Sequence, residues 1–212
     1  MRTSERGPAY RIETDRLEMR CWRPKDAPEL RKLLDESDSH LRPHIPFMKH
    51  EPRSLEQTTH WLREMRASFD QDRHYRYGIF LKGSSHTLIG EIMVLDRENI
   101  GQREMGYWLG KQFCGQGYMV EAAAALTKTT LEIDQSSRVE IHCDETNHSS
   151  AAVAQKLMYV HEGTLKERAN RSDGTFGNLM IWTMFKEDFR KSAAHGTECR
   201  AWDCMDQEIR LS

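Results

Sequence analysis

Apolar and polar positions along the chain switch between two periods. Leu17, Met19 and Cys21 alternate with Glu18 and Arg20, the two-residue period of a strand. Asp26 precedes a stretch, 27–36, in which Leu30, Leu33 and Leu34 recur three and four apart, predicting a capped helix. Segment 40–53 carries three prolines among Ile45, Phe47 and Met48 and reads as an ordered loop. Ser54 with Gln57 three residues on has the form of a capping box, opening a second helix to about Phe69.

The middle of the chain returns to strand period. Residues 75–82, 87–96 and 103–110 are predicted strands, separated by turns at Gly83-Ser84-Ser85 and at Asn99 and Gly101. Val120, the alanines 122–125, Leu126 and Leu131 then predict a helix, because straight-chain and alanine side chains lose least on entering one. A strand at 138–143, a helix at 150–159 and strands at 160–168 and 178–186 follow. Hairpins followed by a strand–helix–strand crossover predict a mixed sheet with helices on its faces. Residues 191–212 carry few apolar side chains. Trp202 and the alternating Glu208-Ile209-Arg210-Leu211 suit either a short hairpin or a mobile tail.

Composition narrows the function classes. A length of 212 residues suits one core with modest extras. Lys and Arg number 31 against 33 Asp and Glu, so a globally basic nucleic-acid binder is disfavoured. The five cysteines have no regular spacing, which reads as reduced thiols and a cytoplasmic protein rather than a disulfide framework. Residues 1–10 lack the apolar run of a signal peptide, and no stretch of 18 apolar residues predicts a membrane helix. His142, Cys143, Asp144 and His148 are metal-ligand types, but adjacent strand residues face opposite ways and neither zinc spacing occurs, so no metal is expected.

The chemistry concentrates in Tyr107-Trp108-Leu109-Gly110-Lys111-Gln112-Phe113-Cys114-Gly115-Gln116-Gly117-Tyr118-Met119-Val120-Glu121-Ala122. A strand enters a turn with two glycines and leaves directly into an alanine-rich helix. Glycine permits positive φ and close backbone approach. The first amides of the helix lack internal partners and carry the positive end of its dipole, so the turn suits an anion, most commonly a phosphate. A Walker A loop would end in Gly-Lys-Ser/Thr, whereas Tyr118-Met119 follows Gly117; a dinucleotide fingerprint would place glycine at 120, where valine stands. From spacing alone, the glycines could also serve only a tight turn. Amides there could depress the Cys114 thiol, but no paired base is apparent for a covalent role.

Gln112-x-x-Gly115-x-Gly117 resembles the acyl-coenzyme A loop of the GCN5-related N-acetyltransferases (GNAT). The wider run from Tyr107-Trp108-Leu109 to Glu121-Ala122 resembles the RimJ/RimL branch, which acetylates protein N-termini and related amines. A second block agrees: Asn147-His148-Ser149-Ser150, Val153-Ala154, Lys156-Leu157 and Glu162-Gly163. The resemblance spans residues 9–187, with 188–212 as a C-terminal tail. It implies an α/β (α+β) GNAT fold: a twisted, mostly antiparallel mixed sheet of about six to seven strands, flanked by about four helices. Strands four and five splay, so that the pantetheine arm of acetyl-CoA pairs with the opened edge. It further implies that the backbone of Trp108 and Leu109 binds that arm. Amides from Gln112 through Gly115, Gln116, Gly117, Tyr118 and Met119 would take the diphosphate, and Asn147 would hold the arm from the far bank. A helix cap is the plain alternative for Asn147.

Acetyl transfer needs a neutral amine, a donor for the developing oxyanion and a way to protonate the departing thiolate. A strand amide near Leu109 would supply the oxyanion donor. Glu104, on the strand leading to the cofactor, is the first candidate base and Glu91, on the neighbouring strand, the second; either could equally be a cross-strand surface charge. The tyrosine acid common among relatives falls at Ala154, and Ser150 stands where the RimL branch has a serine; Ser150 is therefore the candidate acid, with capping as its alternative role. An α-amine, with a pKa near 7.7–8.0, needs less base assistance than lysine. Arg42-Pro43-His44-Ile45-Pro46-Phe47 occupies the place of the family's substrate loops.

The expected activity is acetyl transfer to a protein N-terminus or small amine in a ternary complex, by a monomer or homodimer with no nucleic-acid or membrane partner. Two alternatives remain open: an antibiotic- or polyamine-detoxifying acetyltransferase, and a non-enzymatic acyl-CoA sensor or scaffold.

Overall fold

Arg11–Glu13 (β1) and Leu17–Cys21 (β2) open the chain and pair antiparallel through Ile12 and Met19, both fully buried. The computed structural model describes residues 7–83, 87–96, 102–134, 136–171 and 173–212. The turns expected at Ser84-Ser85 and at Asn99 and Gly101 lie outside those residues. Ala27–Leu41 (α1) runs five residues past the predicted end at 36, because Ser37 and Leu41 are also buried. Leu55–Asp70 (α2) begins at the expected box: Ser54 Oγ accepts from the Gln57 amide at 3.1 Å, and Gln57 Oε1 accepts from the Ser54 amide at 2.8 Å.

The remaining elements are β3 (His74–Leu81), β4 (Leu88–Asp96), β5 (Gln102–Leu109), α3 (Tyr118–Glu132), β6 (Arg138–Asp144), α4 (His148–Lys156), β7 (Val160–Asn170), β8 (Phe176–Phe185), α5 (Lys186–Phe189), β9 (Arg200–Trp202) and β10 (Glu208–Ile209). They form one mixed sheet in the order β10-β9-β1-β2-β3-β4-β5-β6-β8-β7. β5 and β6 are parallel, joined by the right length of crossover for a helix, and the other pairs are antiparallel.

The fold is the expected mixed α/β sheet flanked by helices, with ten described strands rather than six or seven. The additions are β1, β9 and β10, which have three, three and two residues. Such short strands show almost no period. Ile12, Ala201, Trp202 and Ile209 are their buried residues, and the β9–β10 hairpin extends the sheet beyond β1. Lys128 Nζ holds the carbonyls of His195 and Thr197, and Glu132 accepts from the Ser212 amide and hydroxyl. These bonds fasten the last twenty residues to α3.

Two apolar clusters pack the sheet. Trp22, Leu30, Leu34, Met48, Leu62 and Phe80 fill the smaller one, beneath α1 and α2. The larger one includes Ile79, Ile92, Val94, Met105, Val139 and Ile141 against α3 and α4. Ala122 to Ala125 are all at most 3% exposed. Side chains that small let α3 lie close to the strands, which brings its N-terminus to the carboxyl end of β5.

Candidate active site

β5 and β6 pair only from Gln102 to Met105 and from Arg138 to Ile141. β5 then continues to Leu109 alongside β4, and β6 to Asp144 alongside β8. The two strands therefore part, leaving β5 from Gly106 onward with β4 alone in its ladder among the described residues. A cavity of about 560 Å³ opens at this parting. Trp108, Leu109, Gly115, Gly117, Tyr118 and Met119 line it on the β5–α3 side, and Asn147 and Ser150 line it from α4.

The turn at the cavity's end has the geometry anticipated for an anion site. Gly115 and Gly117 have φ of +77° and +81°, in the left-handed region where other side chains are strained. α3 starts immediately afterwards, and its first intrahelical bond runs from the Glu121 amide to the Gly117 carbonyl at 3.1 Å. The amides of Tyr118, Met119 and Val120 precede that bond and remain without a helical acceptor. One part of the expected run is otherwise engaged: Phe113 N donates to Gly110 O and Cys114 N to Lys111 O. The run of amides without a backbone acceptor among the described residues is thus shorter, from Gly115 to Val120. Gln112 and Gln116 brace the turn, with Gln116 Nε2 donating to Gln112 O at 2.9 Å, and neither lines the cavity.

The loop has a support that its own segment does not reveal. Arg16, from the β1–β2 turn, donates through Nε and Nη2 to Glu121 at 2.7 and 2.6 Å and through Nη1 to Gln116 O at 3.2 Å. Its guanidinium also stacks 4.5 Å from the Tyr118 ring. Thr14 Oγ1 donates to the same Glu121 carboxylate. Glu121 would otherwise place an uncompensated negative charge at the first turn of α3; Arg16 neutralises it.

On the opposite bank, Asp144 fixes the loop before α4. It accepts from the Thr146 amide and hydroxyl, and Arg171 grips it at 2.7 Å. The guanidinium and the Thr146 bonds hold this carboxyl well below the usual range. Asn147 Oδ1 caps α4 by accepting from Ser150 N at 3.1 Å while the residue lines the cavity. Ser150 does not cap. Its hydroxyl lies 3.0 Å from that of Tyr107, which reaches across from β5 and is also 3.1 Å from Ser150 O. In the sequence, Tyr107 stands out only as part of the glycine-turn motif. The available signal was parity: Tyr107 points to the face opposite Glu104 and Trp108, toward the crossover that carries Ser150.

The two carboxylates chosen as candidate bases are placed differently. Glu91 is fully buried and accepts four bonds: Trp22 Nε1 at 2.8 Å, Trp108 Nε1 at 3.0 Å, and Arg76 Nε and Nη2 at 2.9 and 2.7 Å. With both oxygens doubly engaged, this side chain organises the core between β3, β4 and β5 and has no lone pair left for an amine proton. Glu104 sits 3.1 Å from His142 Nδ1, whose Nε2 is 2.8 Å from Glu140. Burial pulls the imidazole down, but the two carboxylates outweigh it and raise His142 overall. Glu104 therefore belongs to an acid–imidazole–acid row on the sheet face of Trp108, outside the cavity's immediate lining.

Cys114 does have a neighbouring base. His40 Nε2 lies 3.4 Å from Sγ, and both residues line the cavity. The turn does not depress the thiol as expected; burial raises it. Burial also lowers His40, with His44 and Lys111 adding to the effect. This pair leaves the sulfur protonated and poorly suited to carry an acyl group. Of the 42–47 loop, His44 and Ile45 reach the cavity, whereas Phe47 packs 5.5 Å from Trp61 and 6.2 Å from Trp108. Among the described residues, no group of three or more His, Cys, Asp or Glu side chains could hold a metal ion, and no helix is long and apolar enough to cross a membrane.

The sheet is thus parted at its parallel pair, with a glycine turn and unspent helix amides at the end of the gap. The family profile of the acetyltransferase (GNAT) domain matches residues 16–159, and the chain belongs to that family. It is an acetyl-CoA-dependent N-acetyltransferase. YdaF of Bacillus subtilis (strain 168), itself provisionally named a ribosomal N-acetyltransferase, is 22% identical over 176 residues, covering 82% of this chain and 94% of YdaF. Among solved structures, the ribosomal L7/L12 α-N-protein acetyltransferase RimL in complex with coenzyme A is similar, with a TM-score of 0.74 and 22% identity. That match covers 81% of this chain and 95% of RimL. The microcin C7 self-immunity acetyltransferase MccE, in complex with acetyl-CoA and AMP, has a TM-score of 0.75 at 18% identity, covering 81% and 93%.

Proposed function

We propose that the protein acetylates the α-amino group of a protein or peptide by direct attack on acetyl-CoA in a ternary complex. The observation that carries this reading is the continuous cavity from the Gly115–Gly117 turn to Tyr107 and Ser150, between strands that have parted. In this reading the amides from Gly115 to Val120 hold the diphosphate, at the positive end of α3. The edge of β5 around Trp108 and Leu109 pairs with the pantetheine arm, and Asn147 bounds it from the α4 side. The fit rests on the left-handed glycines together with the unspent helix amides at the end of the cavity.

The reading favours direct transfer because both thiols near the cavity, Cys114 in the glycine turn and Cys143 beside Ser150, are raised by burial. Glu104 is engaged with His142, and an α-amine, with a pKa of about 7.7–8.0, asks little of a base. RimL and YdaF, named for ribosomal substrates, support a protein acceptor, while MccE supports the small-molecule alternative.

The test measures CoA release with peptides of varied N-terminal residue, alongside N-acetylated peptides, lysine side-chain peptides, polyamines and aminoglycosides. Turnover confined to free α-amines supports the reading. Turnover only on small amines moves the protein to the detoxifying class, and CoA binding without turnover on any amine marks it as a sensor.

A further inference from the structure

We infer that the His40 imidazole is the counter-charge of the bound diphosphate, taking up a proton as coenzyme A enters. The inference rests on the acetyl-CoA reading above and adds a residue to its cofactor site. The diphosphate of CoA is doubly negative, whereas the first amides of α3 offer hydrogen bonds and the equivalent of about half a positive charge. A cation beside the turn completes the neutralisation.

Few cations are placed to serve. Arg16 is engaged with Glu121 and the Gln116 carbonyl, and Lys111 does not line the cavity. His148 and Lys156 line it from α4, on the opposite bank. His40 lines it on the side of the turn, with Nε2 3.4 Å from Sγ of Cys114, the residue next to Gly115. His44 also lines the cavity, past the end of α1. Two imidazolium ions so close repel each other, so one proton enters, at the ring that touches the turn.

The surroundings hold His40 neutral until an anion arrives. Burial lowers it, and the neighbouring His44 and Lys111 lower it further. Glu36, one turn back on α1, faces Lys32 at 3.9 Å. Cys114 is raised by burial and keeps its proton, which its sulfur directs to the Gly110 carbonyl at 3.6 Å. His40 Nε2–H then points to that sulfur, and Nδ1 is left as the basic nitrogen. A diphosphate beside the ring reverses the balance and favours the charged form. The imidazolium gains a second N–H for a phosphate oxygen, and its charge lies in the last turn of α1, at the negative end of that helix. The complex therefore holds more protons than the separated partners. Affinity is greatest at low pH and falls as pH rises through the bound value.

The test is calorimetry of 3′-dephospho-CoA binding to the full chain at pH 6.5, in two buffers of unequal ionisation enthalpy. That ligand keeps the diphosphate and lacks the 3′-phosphate, so none of its phosphates titrates in this range. The wild type should take up about half a proton per ligand bound, and its Kd should weaken about threefold to tenfold from pH 5.5 to pH 7.5. His40→Gln should take up none and bind with the weaker affinity at both pH values. His44→Gln and His148→Gln should keep the uptake. Uptake that survives in His40→Gln, that vanishes in His44→Gln or His148→Gln, or that is absent from a wild type that binds, overturns the inference and leaves the cofactor site standing. A wild type that binds neither 3′-dephospho-CoA nor CoA overturns the acetyl-CoA reading, and the role of His40 with it.

Discussion

Arg16 and Glu121 meet across 105 residues of sequence, with Nε and Nη2 of the guanidinium both on one carboxylate oxygen. The contact joins the β1–β2 turn to the first turn of α3, and the same guanidinium holds the Gln116 carbonyl. The glycine turn is therefore held from outside, by a residue over ninety positions upstream. Arg16→Ala should weaken CoA binding by about fivefold to tenfold, because it frees the turn and leaves Glu121 facing the diphosphate. Acetyl-pantetheine, which lacks the diphosphate, should be used equally well by both proteins. Equal loss with both donors would show a general structural defect instead.

Gly117 tests the turn itself. At φ +81° a β-branched residue is strained, and an added Cβ meets nothing closer than Arg16 Nη2 at 3.6 Å. Gly117→Val should cost about 1–2 kcal/mol of stability and retain the fold. CoA affinity should fall more steeply than stability, as read by calorimetry on the folded variant.

Glu91 is predicted to matter for folding rather than proton transfer. Glu91→Ala leaves Arg76 charged without its partner and two indole N–H groups unpaired, so denaturant unfolding should show a loss of about 3–5 kcal/mol. Glu91→Gln should lower stability less and leave the pH profile of turnover where it was. A profile displaced in Glu91→Gln would restore Glu91 as the base.

Met158 follows α4 with φ of +66° and is 57% exposed. A left-handed residue at a helix C-terminus is most comfortable as glycine. Met158→Gly should raise stability by about 1 kcal/mol, seen as an upward shift in Tm of a few degrees with activity unchanged.

The His142 row gives stability a pH dependence. Glu104 faces one ring nitrogen and Glu140 the other, with Arg138 bound to Glu140. Because the folded imidazole is raised above its unfolded value of about 6.5, its contribution is complete below that pH and is lost as pH rises through the folded value. Unfolding at pH 6 and pH 9 should differ less in His142→Gln than in the wild type.

Much of this was legible in the sequence because its signals are local. The capping box at Ser54, the alternation in β2 and the glycine spacing in the turn each lie within a few residues, and each formed as read. The long-range partners were not legible. Glu91 looked like an available carboxylate until Arg76 of β3, Trp108 of β5 and Trp22, just past β2, closed around it. His40 reaches Cys114 only because α1 runs on to Leu41, past the leucines that set its period. β1, β9 and β10 are too short to display a period, and they exist as strands through pairing with one another.

The central claim is that the amides from Gly115 to Val120 bind the diphosphate of coenzyme A. Amide nitrogen–proton spectra recorded during CoA titration test it residue by residue. The account predicts that the largest shifts fall on Gly115, Gly117 and the first turn of α3, saturating with the affinity measured by calorimetry. Saturable binding that leaves those amides unmoved, with the large shifts elsewhere, would contradict it.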